Sequence, residues 1–165
     1  MDLLQLIKER RSVRKFKKDS VSDSDINDIL EAGRWAPSGL NNQPWQFMVL
    51  GEEQKDSLAG YTHYSHIVKD CNKTILIFLN KETSYNCEKD LLAIGACIQN
   101  ILLVIHSKGL GACWLGEILN KRKEIYKLLK TPRNLELEAV IALGKPAQIS
   151  KSGKRKPLKN LMVYR

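Results

Sequence analysis

The sequence predicts an α+β fold, and three observations carry that reading. Two apolar, β-rich runs, residues 74–79 and 137–143, have the length of strands, and the second closes on Gly144-Lys145-Pro146, so both are expected in one sheet. Between them Leu91, Ile94, Ile98, Ile101, Leu102 and Ile105 recur at helical spacing, which predicts a long helix over residues 89–108. No Gly-x-Gly-x-x-Gly follows a strand and no Walker-type lysine is present, which argues against a Rossmann domain and a P-loop.

The remaining elements follow in order. Residues 2–9 place Leu3, Leu4 and Ile7 on one helical face, with Asp2 at the end where a helix is positive. That helix delivers Arg10-Arg11-Ser12-Val13-Arg14-Lys15-Phe16, a strand or loop in which Arg10, Ser12 and Arg14 point the same way if the chain is extended. Such a segment suits an anionic ligand, and a solvated basic turn has the same composition. Val21-Ser22-Asp23-Ser24-Asp25 is a capping cluster, after which Ile26, Ile29, Leu30 and Gly33 run at helical spacing to Trp35. Residues 47–50 read as a short buried strand and 52–61 as an exposed helix. The long helix is apolar on more than one side, so it needs cover on more than one side. Its own domain and a second subunit are both candidates, and Ala93, Gly95 and Ala96 permit close approach. Gly109 suits a left-handed cap, residues 112–115 a short strand, and residues 120–130 a basic amphipathic helix. The chain closes on a Lys- and Arg-rich, partly apolar tail ending Leu161-Met162-Val163-Tyr164.

At 165 residues the chain fits one domain, residues 1–165. No apolar run is expected to reach bilayer-spanning length, and Met1-Asp2-Leu3-Leu4 lacks a basic region followed by an apolar one, so a cytoplasmic location is expected. Cys71, Cys87, Cys97 and Cys113 are widely spaced, with no metal-site pattern, and are expected to be buried thiols. Lys plus Arg number 27 against 18 Asp plus Glu, a formal charge of +9 that raises the question of nucleic acid. The charges are scattered, and the dense cluster at residues 151–159 has no interleaved aromatics on which bases stack, so anionic cofactors account for the excess better.

The stretch Trp35-Ala36-Pro37-Ser38-Gly39-Leu40-Asn41-Asn42-Gln43-Pro44-Trp45 stands between helix and strand. Its prolines restrict the backbone at both ends and leave a hydroxyl, three carboxamides and a glycine on a stiff loop. Trp35 and Trp45 are expected in the core. His63, His66 and His106 sit in no triad pattern, and the spacing of His63 and His66 lacks a third metal ligand, so no catalytic side chain and no metal site is assigned.

With the 10–16 segment, this loop, Gly109-Leu110-Gly111-Ala112-Cys113-Trp114-Leu115-Gly116 and the basic tail in that order, the sequence resembles the nitroreductase family over nearly the whole chain. The resemblance implies a nitroreductase-like fold: a central mixed, mostly antiparallel sheet flanked by helices, in a homodimer with the long helix at its interface. It implies FMN, with Arg10, Arg11 and Ser12 on phosphate and ribityl oxygens, Lys154 and Arg155 adding charge (Lys156 being the neighbouring alternative), and Arg14 beside the N1 and C2 carbonyl edge, where reduction places negative charge. Pro37, Ser38, Gly39 and Asn41 would reach the flavin of the other subunit, while Trp114, Leu115 and Gly116 face the ring, the Gly116 N–H near N5. The implied activity is ping-pong: NADH or NADPH reduces FMN and leaves, and a small planar acceptor such as a nitroaromatic or quinone takes the electrons. The alternatives are a specialised member, deiodinase-like or flavin-cleaving, and a basic polyanion-binding protein that kept the fold. Glu117 stands where many members have a second glycine, and residues 68–73 are more polar than the family pattern.

Overall fold

The protein is described by a computed structural model over residues 2–148 and 153–163. Four strands, β1 (Trp45–Leu50), β2 (Lys73–Asn80), β3 (Gly111–Leu115) and β4 (Leu135–Gly144), form a sheet of order β1-β2-β4-β3. All three strand pairings are antiparallel, and Ser12 adds a parallel bridge to Ala112 outside β3's free edge. The helices are α1 (Leu3–Glu9), α2 (Asp23–Arg34), α3 (Glu52–Ala59), α4 (Ser65–Asp70), α5 (Cys87–Ser107) and α6 (Arg122–Leu129).

The central strands β2 and β4 are buried on both faces, which is why they read as continuous apolar runs. Alternation then sorts their side chains into two layers. Ile75, Ile77, Ala139, Ile141 and Leu143 meet α2 and α5, while Leu76, Phe78, Leu137, Val140 and Ala142 meet α3, α4 and α6. The register slips between Ile77 and Phe78, leaving Glu138 as the extra residue of a bulge. Arg122 fills the break: its Nε donates to the Leu137 carbonyl at 2.6 Å and its Nη2 to Glu138 at 3.0 Å.

Caps fix the helix starts. Ser22 Oγ accepts from the Asp25 N–H and Asn86 Oδ1 from the Lys89 N–H, each at 3.0 Å. Gly109, at φ +71°, takes the left-handed turn after α5 that suits glycine.

Several expectations need correction. α5 is 21 residues long and apolar enough by composition to cross a membrane, against the expectation that no run reaches that length. Its apolarity follows from packing: Ile94, Cys97, Ile98, Ile101 and Ile105 are core residues. The helix at 52–59 is exposed at residues 52–54, 56 and 57, as expected, but it buries one face through Leu58, Ala59 and even Lys55. Lys55 Nζ donates to the carbonyls of Cys71 at 2.7 Å and Lys69 at 3.2 Å and pairs with Glu52, so its charge is satisfied inside. Trp35 is 73% exposed rather than core, its Nε1 donating to Glu31 at 2.7 Å and its ring under Arg34, whereas Trp45 is buried as expected. Cys87 is exposed, while the other three thiols are buried. The predicted helix at 120–130 is a 3-10 turn, Glu117–Lys121, followed by α6, and the short α4 had no prediction. Lys151 and Tyr164, named in the tail, lie outside the described residues.

Candidate functional site

The site begins with the chain that leaves α1. Val13 is buried, its N–H donates to the Ala112 carbonyl at 2.8 Å, and it lies so close to Gly111 that a Cβ there would come within 2.6 Å of a Val13 methyl. Val13 therefore pins the segment to β3, and the alternation leaves Ser12 and Arg14 exposed on either side of it. Arg10 and Arg14 consequently enter two different cavities, roughly 13 Å apart along an extended chain.

The first cavity, about 480 Å³, gathers Lys8, Arg10, Arg11 and Arg155 with Gln99 of α5. Arg11 Nη1 donates to the carbonyls of Lys8 and Arg10, closing the end of α1, but its buried Nε has no partner among the described residues. The tail passes directly beside it, since a Cβ on Gly153 would lie 2.8 Å from Arg11 Nε. Burial first, then the guanidinium groups of Arg155 and Arg11, lower the proton affinity of Arg10. Like charges gathered around a half-buried arginine describe a receptor for an anion. Arg155 reaches the cavity, whereas Lys154 is exposed and gives its carbonyl to Arg155 Nη1 at 2.8 Å; Ser12 is exposed and lines neither cavity.

The second cavity, about 240 Å³, lies at the edge of the sheet, where Arg14, Trp114, Leu115 and Gly116 come together with Tyr64 and Glu117. Trp114 is 46% exposed because it is the outward residue of the edge strand, while Leu115 and Cys113 turn inward. Burial pushes the Cys113 thiol up, with Arg14 opposing, so it is a poor nucleophile at neutral pH. A Cβ on Gly116 would meet nothing within 4 Å, so the chain itself leaves that backbone open. The Thr62 hydroxyl, above all, holds the Glu117 carboxyl below the usual range, donating to Oε2 at 2.7 Å.

The predicted loop lies elsewhere. Residues 39–41 form a 3-10 turn in which Leu40 and Asn41 have φ of 55° and 54°, followed by Gln43 at 47°. Side chains rarely adopt these values, and the surroundings hold them. Ser38 Oγ accepts from the Gln43 N–H at 3.0 Å, Asn42 Nδ2 donates to Asp90 at 2.8 Å, and Gly39 packs on the Tyr85 phenol. Pro37, Ser38 and Gly39 line a shallow cavity of about 270 Å³ with Leu92, Ala93 and Ala96 of α5; Asn41 is exposed and Leu40 is 87% exposed. Gln99, Leu102 and His106, which border the arginines, come one to several turns later on α5. The loop thus shares neither of the other two cavities.

Tyr64, Gln99 and Asp90 belong to these arrangements without having been singled out in the sequence. Asp90 reads in sequence as an acidic residue in a first helical turn, and Tyr64 stands in the turn just before α4, at an N-cap position with no side-chain cap. Among the described residues no group of three His, Cys, Asp or Glu side chains is placed to hold a metal ion.

The protein is an antiparallel α+β scaffold that carries a cationic cradle and an aromatic-walled cavity. Comparison with known sequences makes the class specific. Residues 7–68 and 59–145 match the Nitroreductase family, and the chain belongs to that family of oxidoreductases. It is 34% identical over 151 residues to a Methanothermobacter thermautotrophicus protein named "Putative NADH dehydrogenase/NAD(P)H nitroreductase", covering 90% of this chain and 79% of that one. It is 28% identical over 170 residues to an iodotyrosine deiodinase of Thermotoga neapolitana, covering 87% and 88%. A crystal structure described as a putative nitroreductase in complex with FMN, from Desulfovibrio desulfuricans, superposes with a TM-score of 0.95 at 46% identity, over 100% of this chain and 97% of that one.

Proposed function

We propose that residues 1–165 act as one FMN-binding unit that uses NADH or NADPH to reduce small planar acceptors such as nitroaromatics or quinones, and that it works as a cytoplasmic homodimer. The observation that carries this reading is the arginine cluster, with a buried Nε on Arg11 that finds no partner among the described residues and like charges around Arg10. A phosphate relieves both. Arg10, Arg11 and Arg155 would hold it, with Ser12 and Lys154 at its margin, and the extended segment then carries Arg14 to the second cavity beside Trp114, Leu115 and Gly116. That spacing suits a ligand with a phosphate at one end and a flat ring at the other. FMN is bound in the 46% identical neighbour, which supports the same group here.

FMN, when bound, supplies two-electron transfer between donor and acceptor. Arg14 would present a fixed positive charge to the ring, and the Gly116 N–H would offer a donor that does not titrate. Both substrates would use the one cavity in turn, in ping-pong order, since a single aromatic-walled space adjoins Arg14.

Pro37, Ser38, Gly39 and Asn41 would serve the flavin of the partner subunit. Within one chain the loop lies along the first half of α5 and the arginines along the second, so a second copy brings them together. Leu92 at 76% exposure, with Leu91 of α5 and Leu3, Leu4 and Ile7 of α1, supplies an apolar face for that contact.

The visible absorbance of the freshly purified protein, followed by denaturation and identification of the released chromophore, tests the reading. FMN at about one per chain is expected, with nitroaromatic and quinone turnover in an acceptor screen. A colourless protein that fails to bind added FMN overturns it. The deiodinase relative favours a second reading, in which a halogenated phenol is turned over and nitro and quinone acceptors are not.

A further inference from the structure

Glu117 is the acidic side chain in a cavity whose other charge is Arg14. Its two oxygens differ. Oε2 accepts the Thr62 hydroxyl at 2.7 Å and the His63 N–H at 3.3 Å, while Oε1 has the exposed His63 ring nitrogen at 3.7 Å. The Thr62 oxygen in turn accepts from the Tyr64 N–H at 3.1 Å. One carboxylate therefore ties the turn between α3 and α4 to the end of β3, and that turn carries Tyr64, which shares the cavity lining with Trp114.

We infer that Glu117 selects the acceptor by charge: the cavity takes a planar aromatic that is neutral or cationic and rejects a carboxylated one, and the same residue positions Tyr64 as part of the aromatic wall. The inference rests on the FMN reading. With a flavin ring against Arg14, that guanidinium is engaged, and Glu117 is the charge left to meet the second molecule. Its carboxyl titrates below the usual range, so it is ionised at neutral pH. An anionic substituent near it is repelled, and a partly desolvated rim strengthens that repulsion over its value in water. In the positioning role Glu117 acts through Thr62 rather than by touching the acceptor.

Benzamidine, benzamide and benzoate have nearly the same shape and differ in charge, and none accepts electrons. Their dissociation constants are to be measured on the FMN-loaded protein by perturbation of the flavin absorbance. The wild type should bind benzamidine about tenfold more tightly than benzoate, with benzamide between. Glu117→Gln, which keeps an oxygen for Thr62 and His63, should bring the three within about twofold of one another. Thr62→Val, which keeps the charge and loosens the turn, should weaken all three together and preserve their order. Equal affinities in the wild type, or an order unchanged in Glu117→Gln, overturn the selection. Unchanged affinities in Thr62→Val overturn the positioning. Failure of the protein to load FMN is read beforehand and overturns the underlying function instead.

Discussion

Asp90 Oδ1 accepts a hydrogen bond from Asn42 Nδ2 at 2.8 Å, and through it the first turn of the central helix grips the loop that carries Ser38, Gly39 and Asn41. The other oxygen takes the Ser84 hydroxyl at 2.7 Å and the N–H groups of Tyr85 and Asn86. Asp90 is fully buried, so its charge is matched by donors on every side.

Removing that carboxylate should leave several buried donors unmatched. Asp90→Ala is expected to lose about 3 kcal/mol of unfolding free energy in urea titration. Burial raises the Asp90 pKa, but the hydrogen bonds from Ser84, Asn42 and the backbone outweigh it, and the folded carboxyl lies below its ordinary value. Its contribution is therefore present above the unfolded pKa and is lost as pH falls through the folded one. Wild-type stability should decline below about pH 4, and Asp90→Asn should lack that share of the decline.

The arginine cluster predicts stabilisation by ligand charge. FMN at a hundredfold excess over its dissociation constant should raise the melting temperature by roughly 5–11 °C, through about 2.7 kcal/mol of linkage. Riboflavin, which has no phosphate, should raise it much less, and Arg155→Ala should reduce the FMN effect in scanning fluorimetry.

Arg14→Ala should weaken FMN binding about tenfold, the loss of one charge-assisted contact of about 1.4 kcal/mol, and slow flavin bleaching by NADH or NADPH. Equilibrium dialysis and stopped-flow absorbance read the two effects. Retained affinity with unchanged kinetics would make Arg14 an ordinary surface residue.

Gly111→Ala introduces a Cβ within 2.6 Å of Val13 Cγ2 and 2.7 Å of Val13 Cβ, too near a stiff, buried side chain to be absorbed by rotation. About 1–3 kcal/mol of destabilisation is expected, together with loss of retained flavin, because Val13 holds Arg10 and Arg14 in their two cavities.

Features governed by period and capping were legible before the structure. The four strands, α2 with its Ser22 cap, α5 and the left-handed Gly109 announce themselves through residues near in sequence. Lys55, Trp35 and Asp90 were not, for a common reason. Their environments come from distant or unexpected partners: carbonyls of the 69–71 turn around Lys55, a carboxylate and a guanidinium holding Trp35 at the surface, and two loops closing over Asp90. Of the candidate site, the arginine pattern and Trp114-Leu115-Gly116 were singled out through the family resemblance, and the structure places Arg14 with the latter in one cavity. The contribution of Tyr64 depends on a turn tied by Glu117, which no periodicity encodes.

Beyond the role proposed for its arginines, the 10–16 segment covers an edge of the sheet. It lies along the outer margin of β3, its Val13 amide taken up by Ala112, and continues to the chain beyond β4, where the Ala147 N–H donates to Lys15 at 2.9 Å. An uncovered strand margin is a template on which other chains can polymerise. Here the cover and the proposed ligand grip are one piece of backbone. Whatever steadies the grip also shields the sheet from adding strands, so shortage of the bound group would be felt as a tendency to aggregate before it was felt as lost shape.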